Sequence, residues 1–78
     1  MKSYKSIRIA CDILDRADRC GAEAFFLIGM GDRRLNGEFT DQMTTEYPDI
    51  VRVMDDLEAT YTRDELDQAF QLLLECEA

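Results

Sequence analysis

Histidine and tryptophan are absent from this chain of 78 residues, and proline occurs once, at Pro48. Histidine is the commonest general base and transition-metal ligand, and its ordinary pKa lies nearest neutrality. Without it, no serine or cysteine has a partner to activate it, and the lysines, Lys2 and Lys5, sit at the N-terminus. An enzyme is disfavoured: no catalytic residue, cofactor or metal site is expected. Long apolar runs are missing too. The longest uncharged run, Ala24 to Gly31, falls far short of the ~20 residues that cross a bilayer. The opening "MKSYKSIRIACDILDRAD" gains charges too soon for a signal peptide. Cysteine is scarce, odd in number (Cys11, Cys20, Cys76) and without a C-x-x-C spacing, so the expectation is buried, reduced thiols in a soluble cytoplasmic protein.

What is present is apolar periodicity and negative charge. Seventy-eight residues allow one domain, and so short a chain buries little enough surface to be marginally stable alone. Self-association, in the simplest case a homodimer, is therefore expected. Hydrophobic residues at 46% and charged ones at 33% are too apolar for a disordered acidic tail. Net charge is −8, unevenly placed. Residues 1–34 hold seven basic and five acidic residues, a net of +2, while residues 35–78 hold two basic and twelve acidic, a net of −10. Such a field repels nucleic acid and anionic membrane and attracts basic protein surfaces.

Ile7, Ala10, Cys11 and Leu14 recur at i, i+3, i+4 and i+7, and Asp12–Arg16 and Asp15–Arg19 are favourable i, i+4 pairs. They predict an amphipathic helix from Ser3 or Ser6 to Cys20, closed by Gly21 as a left-handed cap. Ile9 and Ile13 fall outside that stripe and widen the apolar face, so they are the expected self-association residues. "AEAFFLIGM" is short and continuously apolar between glycines, and "RLNGEFT" alternates, so both read as strands. A turn at Gly31 to Arg34 pairs them better than one at Asn36-Gly37, leaving Gly37 as a bulge. "TDQMTTEYPD" reads as a polar connection. Pro48 then opens a helix carrying Ile50, Val53, Met54 and Leu57, and Thr62 with Glu65 forms a capping box before a last helix carrying Leu66, Ala69, Phe70, Leu73 and Cys76. The expected fold class is α+β, one domain over residues 1–78 in the order α-β-β-α-α, with a two-stranded antiparallel hairpin packed against amphipathic helices.

"GMGDRRLNGEF" is the stretch most like a ligand loop. A dinucleotide fingerprint would need glycine at position 34, where Arg34 stands, and a helix after it. A calcium loop would need ligands where Arg34 and Met43 stand. Asp12, Asp15 and Asp18 share a helix side, but Arg8, Arg16 and Arg19 interleave with them and favour self-paired surface charge over a magnesium site. The feature beyond ordinary surface composition is the acidic set Asp49, Asp55, Asp56, Glu58, Asp64, Glu65 and Asp67. Carboxylates on successive helical turns recur at about 5–6 Å, a spacing like that of phosphates along a strand.

The sequence therefore points to a non-enzymatic protein-binding module. Its acidic helical face would dock on a basic macromolecular partner, as an inhibitor of nucleic-acid-binding machinery acting by nucleic-acid mimicry, with no direct binding of nucleic acid or membrane. In size, acidity and lack of catalytic chemistry the chain is similar to many phage-encoded inhibitors of host nucleic-acid machinery, a likeness carried by no motif. The alternative is a structural or assembly module acting through apolar contacts between copies.

Overall fold

The computed structural model describes residues 4–77, which form five helices and, among the described residues, no strand. They are α1 (Tyr4–Arg19), α2 (Ala24–Leu35), α3 (Asp41–Glu46), α4 (Pro48–Thr60) and α5 (Arg63–Glu77). The domain is all-helical, which corrects the α+β expectation: the segments read as a hairpin are one helix and its cap. Ser3, one of the two expected helix starts, lies outside the described residues.

The correction has a local cause. In α2 the buried residues Leu27, Ile28, Gly31 and Leu35 repeat with a helical period, while Phe25 and Phe26 of the apolar run are exposed. Glycine at position 31 leaves a gap in that stripe when side chains alone are read, and the exposed phenylalanines fill out a false strand. The helix opens at Glu23, whose carboxylate accepts from the Phe26 N–H at 3.2 Å. It closes on Gly37, with φ +76°. There the Gly37 N–H donates to the Arg34 carbonyl at 3.2 Å and the Glu38 N–H to the Arg33 carbonyl at 2.8 Å, the pairing of a Schellman cap. Asn36-Gly37 is thus neither a hairpin turn nor a bulge. Gly21, φ +71°, closes α1 by the same two bonds, from its own N–H to Asp18 and from the Ala22 N–H to Ala17, as its sequence predicts.

In α1 the apolar phase differs from the expected one. Ser6, Ile9, Ala10, Ile13 and Ala17 are buried, whereas Ile7, Cys11 and Leu14 are exposed. The buried stripe alternates bulky isoleucines with small residues, which lets α1 seat closely against its neighbours. The Ser6 hydroxyl donates to Gln68 of α5 at 3.3 Å. Ile9 and Ile13 are 4% and 0% exposed, so both are taken up by the chain's own core rather than offered to a second copy.

The expected polar connection contains α3, capped by Thr40, whose hydroxyl accepts from the Met43 N–H at 3.2 Å. Pro48 opens α4, which buries Ile50, Val53, Met54 and Leu57. The capping box at α5 is reciprocal: the Thr62 N–H donates to Glu65 Oε1 at 2.9 Å, and the Glu65 N–H to Thr62 Oγ1 at 3.2 Å. Leu66, Ala69, Phe70 and Leu73 of α5 join the core contributed by α1, α2 and α4.

Candidate interaction surface

Four of the acidic residues singled out in the sequence are tied to cations of other helices. Asp55 and Glu58 lie on the flank of α4 that meets α2, where both pair with Arg34, Glu58 at 2.8 Å. Asp56 lies on the opposite flank and pairs with Arg16 of α1. Glu65 pairs with Lys5. Among the described residues, Asp49, Asp64 and Asp67 carry no ion pair, nor do Glu38, ahead of α3, and Asp41, its first residue. Asp49 and Asp64 stand in the first turns of α4 and α5, where a carboxylate also stabilises the helix by facing its positive dipole end. Four of the seven candidate residues are thus paired from within by three cations of the first two helices, Lys5, Arg16 and Arg34, a pairing invisible in a linear count of charge.

The Arg16 pairing belongs to a clasp between α1 and the end of α4. Asp12 Oδ2 accepts from Arg16 Nε at 3.1 Å and from the Tyr61 hydroxyl. Arg16 also reaches the Thr60 hydroxyl at 3.2 Å and lies over the Tyr61 ring, 5.9 Å from its centroid. Burial alone would push the Asp12 carboxyl up, but the hydrogen bonds from Tyr61 and Arg16 outweigh it and hold the group below its usual 3.8. The Asp12 carboxylate in turn raises the Tyr61 phenol above its usual 10.0, with burial adding to the effect. Glu65 is held down to about 2, first by the Lys5 ammonium and then by the Thr62 N–H. These groups anchor helices to one another. The cleft of about 510 Å³ beside them, lined by Tyr4, Lys5, Arg8, Ile9, Asp12 and Tyr61, has its one acid already engaged.

The exposed large apolar side chains fall on two helices: Tyr4, Ile7 and Leu14 on α1, and Phe25 and Phe26 on α2. Phe26 meets the Tyr47 ring edge-on, with centroids 4.7 Å apart, and both line an open cleft of about 360 Å³ together with Gly29, Met30 and Met43. Cys11, Cys20 and Cys76 are exposed and free, against the expectation of buried thiols, because the outer face of α1 and the ends of α1 and α5 hold them. Gly29 to Leu35, the stretch most like a ligand loop, is the second half of α2. Asp32 accepts from the side chains of Asn36 and Gln71 there.

Among the described residues no helix is long and apolar enough to cross a membrane, and no group of three or more cysteine, aspartate or glutamate side chains is placed to hold a metal ion. No family model, curated protein or solved structure matches the chain.

Proposed function

We propose that the protein is a non-enzymatic binding module whose anionic surface docks on a basic protein. One observation carries the reading. After the ion pairs among the described residues are formed, Glu38, Asp41, Asp49, Asp64 and Asp67 have no cation paired with them there, and the chain as a whole holds a charge of −8. Surface acidity also keeps a protein soluble. A docking role differs in demanding particular carboxylates, and those of the acidic set without an ion pair among the described residues are Asp49, Asp64 and Asp67. Asp55, Asp56, Glu58 and Glu65 hold helices together and are supporting residues in this reading. Mimicry of nucleic acid is its finer form, in which the partner's basic surface is one that otherwise holds phosphates.

The test is capture from cell lysate on immobilised protein at low and at high salt, with a parallel column carrying Asp49→Asn, Asp64→Asn and Asp67→Asn together. Capture of a basic protein that is lost both at high salt and on the triple variant supports docking, since screened surface charge behaves this way. Displacement of that protein by added DNA or RNA supports mimicry. A partner held equally by the triple variant overturns the reading.

A further inference from the structure

The outer face of α1 carries Tyr4, Ile7, Cys11 and Leu14, all exposed, with Tyr4 at 75%, Ile7 at 44% and Leu14 at 38%. Their spacings of three, four and three are the alternation of a coiled-coil seam, in which an apolar residue returns to the same line every 3.5 positions on average. The buried stripe through Ile9 and Ile13 occupies the other side of the helix. Helix α1 therefore has two apolar faces, one used within the chain and one left exposed among the described residues.

The charges beside the outer seam decide what covers it. Arg8 and Asp15 flank the seam on one side, seven positions apart. Among the described residues, Arg8 makes no ion pair and rests on the Tyr4 ring, 6.0 Å from its centroid, and Asp15 pairs only with exposed Arg19. Laid antiparallel against a second α1 about a two-fold axis at Cys11, the seam complements itself. Ile7 of each copy then meets Leu14 of the other, and Arg8 of each meets Asp15 of the other. Helix α1 holds four basic residues and three acidic ones, so two copies of a chain of charge −8 approach through it with less repulsion than through α4 or α5.

We propose that the protein forms a symmetric dimer by antiparallel packing of the outer faces of α1, with Cys11 at the crossing point. A two-fold contact of this kind is closed, since the same patch serves both copies. The acidic residues Asp49, Asp64 and Asp67 lie on other helices and stay available, so the dimer presents them twice.

Sedimentation equilibrium under reducing conditions tests this, because Cys11, Cys20 and Cys76 are all exposed. The wild type is expected to show a monomer–dimer equilibrium below about 1 mM. The variant with Ile7→Asp and Leu14→Asp is expected to stay monomeric with unchanged helical circular dichroism. Arg8→Asp alone should weaken the dimer by about threefold to tenfold, and adding Asp15→Arg should restore it. In a Cys20→Ser, Cys76→Ser background, mild oxidation should link two chains through Cys11, since a disulfide needs Cα atoms within about 7 Å. A wild type that is monomeric throughout, or a dimer indifferent to both the Ile7/Leu14 and the Arg8 changes, overturns the proposal.

Discussion

The ring of Phe70 occupies the space where Gly31 would otherwise carry a side chain: a Cβ built on Gly31 would lie 2.6 Å from Cζ and 2.8 Å from Cε1 of Phe70, and 3.1 Å from the Met54 sulfur. Carbon atoms in contact settle at about 3.5–4.0 Å, so a methyl group cannot be added without moving a fully buried ring. The contact joins α2 to α5 at the centre of the core, and Met54 brings α4 to the same point.

Gly31→Ala is therefore expected to destabilise the fold, although alanine is intrinsically the better helix residue by about 1 kcal/mol. Overpacking of a filled core costs about 1–3 kcal/mol, which leaves a net loss. Gly29 is the internal control on the same helix, because a Cβ there meets nothing within 4 Å. Gly29→Ala should stabilise by up to about 1 kcal/mol. Urea unfolding of the two variants checks both signs, and a stabilising Gly31→Ala would contradict the packing described.

Tyr61→Phe removes the hydroxyl that donates to Asp12 while leaving Arg16 in place. The expected cost at neutral pH is about 1 kcal/mol. The pH dependence separates this bond from simple packing. Asp12 is depressed below 3.8 in the folded state, so its contribution is present above that value and fades as pH falls through the folded pKa. Tyr61 is raised above 10.0, so its contribution is present below that value and fades as pH rises through the folded pKa. Tyr61→Phe should show a smaller loss at both extremes, read as urea midpoints across the pH range.

Glu65 makes a sharper acid-side prediction, since its folded pKa lies near 2 against an ordinary 4.5. Its contribution to stability is complete above 4.5 and is lost progressively as pH falls towards 2. Glu65→Gln keeps an acceptor for the Thr62 N–H but has no charge to titrate, so its stability should stay flatter over that window. Lys5→Met should bring the Glu65 carboxyl back towards 4.5, as followed by its side-chain NMR shift. A Glu65 titration unchanged by Lys5→Met would remove the ion pair as its main cause.

The parts of this fold that are legible in the sequence are those settled within a few residues. Gly21 as a cap, Pro48 as a helix start and the Thr62/Glu65 box depend only on local hydrogen bonds, and each stands where its pattern places it. Helix α2 was hidden because its buried stripe runs through Gly31, whose fit is decided by Phe70, 39 positions away. The surface charge was legible in amount but not in arrangement. Only the placement of α1 and α2 against α4 brings Arg16 to Asp56 and Arg34 to Asp55 and Glu58, and no spacing rule reaches across that distance.

The phase of α1 illustrates the same limit and can be measured directly. Two apolar lines, through Ile9 and Ile13 and through Ile7 and Leu14, are each consistent with helical spacing, and packing by the rest of the chain chooses between them. Ile13 is fully buried and Leu14 is 38% exposed. Ile13→Ala is accordingly expected to cost about 2–5 kcal/mol by leaving a cavity in the core. Leu14→Ala, measured on dilute monomer, should change stability by no more than about 0.5 kcal/mol. Adjacent residues of similar size thus serve as each other's control, and thermal unfolding of both variants at low concentration reads the difference. A reversed order would mean that the seam through Ile7, Cys11 and Leu14 is the inner one, and the dimer face would pass to Ile9 and Ile13.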